Sequence, residues 1–463
     1  MQIKFWVFLT YFLLSLSCKT GTNPELCPEL RISENKRFLM TKTGDPFFWM
    51  GDTGWMLFTK LTREEAEKYF EDRRQKGFNV IQVMVIQNIK NAVNVYGDSA
   101  LIDRDIERPF TTPENSKFGV NHYNYWDHVD YLVSLAQKKG IYLALVPIWG
   151  SNIRNGSISS ERVRKYATWL AKRYKEKSNV IWLNGGDIKG SDSTVIWNTI
   201  GSTIREICPG QLMTFHPFGR TQSSDWFHNE KWLDFNMFQS GHRRYDQDTI
   251  GLSYGEDNWK YVVNDYNKIP FKPTMDGEPS YEGIPQGLHD PTQPYWTDSD
   301  VRRYAYWSVF AGGCGFTYGN NAVMQFHKKN DIESAYGVKD NWDVALNATG
   351  ASQMKYLKQL MLSRPYFDRI PAQDLIAGRQ GERYDYLAAT KGRDYAFIYT
   401  CNGNTMNIDL GKMHLNRLKA SWYNPRNGQH TKIGNYKAEG INSFYPPDGK
   451  SKGNDWVLIL DRI

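Results

Sequence analysis

The sequence predicts a (β/α)8 barrel followed by a small all-β sandwich domain. Three observations carry that prediction. Between Pro46 and Tyr318, eight short β-rich runs recur, mostly separated by helical patterns, and this alternation points to parallel βα units. Eight units over about 320 residues suit a closed barrel with long loops better than an open dinucleotide-binding sheet, and no Gly-x-Gly-x-x-Gly follows the first run. After Pro365 the texture changes to short strands with turn signals between them and no helix of length, a sandwich of about 95 residues.

Residues 1–17 read as an export signal. Lys4 precedes an apolar stretch, Phe5 to Leu16, broken only by Thr10 and Ser15. At about twelve residues it is too short for a bilayer span, which needs about 20. Ser17-Cys18 directly behind this run resembles the lipobox of bacterial lipoproteins, which implies cleavage before Cys18 and its lipidation. The expected location is therefore outside the cytoplasm, on a membrane of the bacterial periplasm or cell surface; simple secretion with cleavage near Ser17 is the alternative. Residues 18–27 read as a polar tether, residues 28–367 as the barrel and residues 368–463 as the sandwich.

Along the barrel, Pro46–Met50 leads into Gly51-Asp52-Thr53-Gly54-Trp55. The helix Thr62–Lys76 opens on a capping box, Thr62 with Glu65, and ends at Gly77. Asn79–Val85 is the second strand. The helix Trp126–Lys139 ends at Gly140, and Ile141–Ile148 follows as the third strand. Ser160–Lys175 is helical, and the strand Asn179–Leu183 runs into Asn184-Gly185-Gly186-Asp187. Asp192–Ile207 is helical; Met213–His216, Phe235–Gln239, Pro273–Met275 and Gly315–Tyr318 complete the eight. In the tail, Tyr384–Ala389, Tyr395–Cys401, Met406–Leu410, Ala420–Tyr423 and Trp456–Leu460 read as strands, with turns at Asn402-Gly403 and Asn427-Gly428.

Composition narrows the function. In 463 residues, 40% apolar and 23% charged, there is no room for bulk disorder. Aromatics reach 14%, more than a core needs, and exposed rings suit flat ligands such as sugars. The net charge of +7 contains no basic run, which fits an acidic ligand and not duplex nucleic acid. Cys27, Cys208, Cys314 and Cys401 form no Cys-x-x-Cys pair, and no His-Glu-x-x-His is present, so no metal or cofactor is expected. Gly251-Leu252-Ser253-Tyr254-Gly255 matches a nucleophile elbow in letters only, because no strand precedes it. A monomer is expected.

In a barrel the chemistry lies at the C-terminal strand ends. Those ends supply Asp52, Trp55, Gln87, Asn88, Trp149, Asp187, His216, Gln239, His242, Glu278, Tyr318, Asn320 and Asn321 as candidates. Asp187 and Glu278 close strands four and seven, whose ends can face one another across the mouth. An opposed pair, one protonated and one ionised, is what glycosidic cleavage requires. The other residues offer faces and hydrogen bonds to a polyhydroxylated ring. Asp187 could instead cap the next helix, and Asp276 or Glu282 could replace Glu278, since strand parity places Asp276 and Glu278 on one face. Asp52 could brace its turn. Arg154, Lys189, Arg243 and Arg244, in loops after strands three, four and six, suggest cations at the mouth.

Phe48-Trp49-Met50-Gly51-Asp52-Thr53-Gly54-Trp55, the segment Trp182–Asp187 and Asp276-Gly277-Glu278-Pro279-Ser280-Tyr281-Glu282 resemble the apiosidase-like glycoside hydrolases, glycoside hydrolase family 140. The tail, with Trp422–Gly428 and Asn454–Leu458, resembles the collagen-binding-type β domain found after such barrels. The resemblance implies cleavage of an apiosyl linkage in the pectic polysaccharide rhamnogalacturonan-II, with Asp187 as acid/base and Glu278 as nucleophile. In a broader retaining barrel superfamily the strand-four residue is usually Glu preceded by Asn. Here Gly186 precedes an Asp one methylene shorter, which leaves the stereochemical outcome open. The competing class is a non-catalytic glycan- or collagen-binding surface lipoprotein, which has no use for two opposed carboxyls.

Overall fold

The computed structural model describes residues 27–112, 123–154, 158–248, 253–332 and 334–463. The signal, Cys18 and most of the tether lie outside the described residues, as do Gly251 and Leu252 of the Gly-x-Ser-x-Gly match. Three short antiparallel strands come first: β1 (Leu30–Ile32), β2 (Leu39–Thr41) and β3 (Pro46–Phe47). They cover the end of the barrel opposite the mouth, where Tyr142 donates to the Pro28 carbonyl (2.5 Å) and its ring meets Phe47 edge-on.

The barrel strands are β4 (Trp49–Thr53), β5 (Val80–Met84), β6 (Tyr142–Val146), β7 (Val180–Ile188), β8 (Met213–Pro217), β9 (Asn236–Phe238), β10 (Thr274–Asp276) and β11 (Gly315–Tyr318). All eight expected runs are present. Their order is β8-β7-β6-β5-β4-β11-β10-β9, every pairing parallel, so first and last strands join and the ring is nearly closed. The seam lies between β8 and β9, where no ladder forms and isolated bonds bridge instead: Thr214 Oγ1 donates to the Phe235 carbonyl (2.6 Å), the Asp234 carboxylate accepts from Met213 N (2.7 Å), and Asp234 N donates to the Met213 carbonyl (2.8 Å).

Helices follow the strands because the sequence alternates an apolar run with an amphipathic one. Arg63–Gln75, Tyr125–Lys138, Ser160–Tyr174, Thr194–Ile207, Trp259–Tyr266, Asp298–Phe310 and Thr349–Leu362 are the long ones, while the β8–β9 connection holds only the short helix Ser224–Phe227. The first has the expected capping box, Glu65 N donating to Thr62 Oγ1 (3.2 Å) and Thr62 N to the Glu65 carboxylate (3.0 Å). One apolar layer packs strands against these helices. A second fills the barrel interior, where Trp49 donates to Thr317 Oγ1 (3.0 Å) and Gln82 to the Gly277 carbonyl (2.7 Å).

The tail is all-β, with β12 (Ile370–Pro371), β13 (Ala388–Lys391), β14 (Tyr395–Thr400), β15 (Met406–Asp409), β16 (Arg417–Tyr423), β17 (His430–Lys437), β18 (Ile441–Phe444) and β19 (Trp456–Arg462). Six of them form an antiparallel sheet in the order β12-β13-β14-β19-β16-β17, faced by the pair β15-β18. Two differences from the sequence expectation stand out. Arg383–Asp385 is a 3-10 turn, held where the Asp385 carboxylate accepts from Asn402 and Asn404, so that strand begins only at Ala388. β17 and β18 are additional, and both are largely solvent-facing.

Barrel and tail meet across the helix Asp298–Phe310, whose residues are buried from Asp300 to its end. The Arg302 guanidinium grips Asp455 with two bonds (2.8 and 3.1 Å), both side chains being at most 2% exposed. Beside it Arg303 donates to Glu256 (2.7 Å), which also accepts from the Tyr384 hydroxyl of the tail (2.9 Å). Tyr306 stacks on Tyr399, and Trp259 on Tyr386 at 4.2 Å between ring centroids.

Candidate active site

A cavity of about 650 Å³ opens at the C-terminal strand ends. Of the expected residues, Trp55, Gln87, Asn88, Trp149, Asp187, Gln239, His242 and Glu278 line it. His216 lies directly beneath, fully buried.

Asp187 is placed by an unusual stretch of β7. The strand continues past Leu183 to Ile188, with its ladder to β8 interrupted between Gly185 and Ile188. There Gly185 and Gly186 take φ of +92° and +104°, and Asp187 itself +51°. A Cβ on Gly186 would stand 2.6 Å from the Trp149 ring, and one on Gly185 2.7 Å from the His216 carbonyl. Only glycine permits both the dihedrals and the approach. Asp187 does not cap the next helix, which begins at Thr194.

Glu278 leaves β10 just past its last paired residue, and Ser240 N and Gly241 N both donate to its carbonyl (3.0 and 3.1 Å). Two imidazoles hold its carboxylate. His242 Nε2 hydrogen-bonds Oε1 at 3.1 Å, and His216 Nε2 stands 3.1 Å from Oε2, an ion-pair distance off the hydrogen-bond direction. His216 Nδ1 accepts from Asp187 N (3.3 Å), so one ring touches the backbone of one acid and the side chain of the other. The Tyr281 hydroxyl accepts from Trp55 Nε1 (3.3 Å), and burial first, then the nearby charge of Glu278, keep it protonated. Trp55, Trp149 and His216 pack together at 5.2–5.9 Å between centroids.

The two carboxyls are driven apart electrostatically. Burial first, and the neighbouring charge of Glu278 second, raise Asp187 above the ordinary carboxylate range, against the opposing pull of His216, His242 and Gln239. Burial also pushes Glu278 upward, but the two imidazoles outweigh it and hold the group down at about 2. Near neutrality this arrangement favours a proton on Asp187 and a charge on Glu278, the division of roles that glycosidic cleavage requires.

Several expected contacts lie elsewhere. Asp52 and Tyr318 are register partners in adjacent parallel strands and share the outward side of the sheet. Asp52 is fully buried and accepts from the Tyr69 hydroxyl (2.7 Å) and Arg73 Nε (2.6 Å), so it braces β4 against the first helix and does not reach the mouth. Tyr318 donates to Glu282 (2.6 Å), which also accepts from Gly350 N (3.1 Å). Asn320 caps the short helix Asn321–Met324, and Asn321 donates to the carbonyls of Gly283 and Tyr336. Asp276 accepts from Ser240 (2.5 Å) and Asn258 (2.9 Å), away from the cavity.

Other lining residues escaped the sequence reading: Arg220, Tyr281, His289 and Tyr336 among them. Tyr281 sits three residues beyond Glu278 in a segment already singled out. Tyr336 comes from a loop without periodicity, and its hydroxyl feels both Asp187 and Glu278 as well as burial. Arg243 lines the cavity, whereas Arg244 and Lys189 do not. Among the described residues no group of three or more His, Cys, Asp or Glu is disposed to hold a metal ion, the four described cysteines are buried, and no helix is long and apolar enough to cross a membrane.

Residues 33–368 match the family described as "Apiosidase-like, catalytic domain", and residues 370–461 match "Putative collagen-binding domain of a collagenase". A solved structure described as a glycoside hydrolase is 45% identical, with 95% of this chain and 98% of that one covered and a TM-score of 0.89. A glycoside hydrolase family 5 structure from Bacteroides vulgatus ATCC 8482 is 42% identical over 94% of this chain and 93% of its own, also at 0.89. A more distant glycoside hydrolase structure from the same organism, 14% identical with a TM-score of 0.66, shares the fold. No curated protein matches the chain. With the family match spanning most of the chain and two neighbours above 40% identity over nearly their whole length, the chain is a glycoside hydrolase and belongs to the apiosidase-like catalytic-domain family.

Proposed function

We propose that this hydrolase is an apiosidase that cleaves an apiosyl linkage in rhamnogalacturonan-II, an acidic pectic polysaccharide of plant cell walls. Asp187 protonates the leaving oxygen, and Glu278, held ionised between His216 and His242, attacks or stabilises the anomeric carbon. The observation that carries the reading is the opposite electrostatic shift of these two facing carboxyls. Trp55, Trp149 and Tyr281 supply aromatic faces for the sugar, and Gln87, Asn88 and Gln239 its hydrogen-bond partners. The family described as apiosidase-like supports the choice of sugar. Residues 28–367 are the catalytic barrel and 368–463 its bracing domain; Cys18 carries the lipid that holds an exported monomer at the membrane. The test is incubation of the purified protein with rhamnogalacturonan-II oligosaccharides and identification of the product. Cleavage at an apiosyl linkage is expected, and release of a different sugar, or none, overturns the assignment.

A further inference from the structure

Beside the seam between β8 and β9, the cavity wall carries two guanidinium groups that the chemistry above leaves unused. Arg220 lies beyond β8, its backbone N donating to the Gln239 carbonyl (2.6 Å), and Arg243 lies beyond β9, next to His242. Both line the cavity.

The Arg220 side chain is 11% exposed, and its Nε stands 3.5 Å from Asp248 Oδ1 without an aligned hydrogen bond. The other oxygen of Asp248 accepts from Ser253 and from Gly255 N. Arg243 is half-buried and has no hydrogen-bond or ion-pair partner among the described residues. Burial, and then the nearby charge of Arg243, make Arg220 a weaker base than usual, a sign that the two cations sit close. Asp248 thus faces Arg220 alone, and Arg243 is left without a carboxylate of its own among the described residues. The neighbouring cations are engaged: Arg244 forks onto Asp246 (2.9 and 3.0 Å), and Arg154 reaches Asp192 (3.9 Å). A desolvated guanidinium short of acceptors is costly, and a planar carboxylate is the acceptor that fits its fork.

We propose that Arg220 and Arg243 form a subsite for the carboxylate of a uronic acid unit in the bound glycan. The proposal rests on the glycosidase reading for the nature of the ligand and adds the residues that select an acidic chain. Arg243, which has no partner of its own, contributes most of the reversible binding, and Arg220, held beside Asp248, orients the carboxylate.

The test uses the full-length protein and two probes, an oligogalacturonate and the same oligosaccharide with its carboxyls reduced to alcohols. Calorimetry should show the acidic probe bound about tenfold or more tightly than the reduced one, with the difference shrinking as salt rises. Arg243→Ala should lose about tenfold on the acidic probe and little on the reduced one, and Arg243→Lys should lose less. Arg220→Lys is the companion variant, because it keeps a cation beside Asp248. Equal affinity of the wild type for both probes, or equal loss on both in Arg243→Ala, overturns the subsite. Failure of the apiosidase reading has a different signature: charge-dependent binding persists while no apiosyl linkage is cut.

Discussion

At the scale of single residues, the two carboxyls of the cavity are like groups in unlike surroundings. Asp187→Asn and Glu278→Gln should each reduce turnover on the order of a hundredfold or more while melting near the wild type. Wild-type turnover in either would remove that residue from the chemistry. The shifts also fix the pH profile: Glu278, held at about 2, sets an acidic limb far from neutrality, and Asp187, raised, sets the alkaline one. With an activated aryl glycoside, which needs little help from an acid, Asp187→Asn should keep the acidic limb of kcat/KM and lose the alkaline one. A second pH effect concerns stability. Burial lifts Asp276 to about 7 against the hydrogen bonds of Asn258 and Ser240. The folded state therefore binds this proton more tightly than the unfolded chain, so the stability it contributes is complete below about pH 4 and is lost as pH rises toward about 7. Tm should accordingly fall less between about pH 5 and about pH 8 in Asp276→Asn than in the wild type; equal falls would show that Asp276 does not titrate there. Strand-end position made Asp187, Glu278, Gln239 and His242 legible in the sequence. It could not say which way a side chain turns: Asp52 and Tyr318 face outward on regular strands, and parity misled for Asp276 because the chain leaves regular pleating at Gly277, before Glu278.

At the scale of elements, the extension of β7 does for Asp187 what a longer side chain does elsewhere. Its reach comes from a backbone detour through Gly185 and Gly186, which no residue with a Cβ can follow without meeting His216 or Trp149. Gly186→Ala should therefore cost about 1–3 kcal/mol and lower kcat by about tenfold or more, since the displaced carboxyl no longer meets the leaving oxygen. Gly210→Ala, with nothing within 4 Å of its added Cβ, is the control expected to change neither. Denaturant unfolding and steady-state kinetics check both; an unaffected Gly186→Ala would mean that β7 can relax at no cost. The barrel strands were readable because each is an apolar run bounded by Gly, Pro or polar residues, buried on both faces. β17 and β18 were not, because their largely exposed residues, such as His430-Thr431-Lys432, carry no contrast between faces.

At the scale of the whole molecule, the barrel and the tail share one apolar cluster, which runs from the barrel interior through the helix Asp298–Phe310 to Phe397 and Tyr399. The Arg302–Asp455 pair is sealed inside that contact. Asp455→Ala should cost about 3–5 kcal/mol, because it leaves the buried Nε and Nη2 of Arg302 without their partner and only Nη1 bonded, to Asp298 and Gln353, whereas Asp455→Asn should cost less. Unfolding midpoints measured for barrel and tail probes together check this, and a midpoint near the wild type would mean that Arg302 finds solvent or another acceptor. The sequence showed a change of texture near Pro365 but no sign of this clamp, since a buried ion pair across domains leaves no periodic trace. The position of β19 has one more consequence. It is the last strand in sequence and yet runs between β14 and β16, so it alone joins β12-β13-β14 to β16-β17. A chain interrupted before Asn454 keeps two separate sets of strands with bare inner edges and an Arg302 whose main partner is missing. Such edges recruit other chains and protease attention. Loss of this one closing strand would therefore open the tail's inner edges and release the clamp on the barrel in a single step.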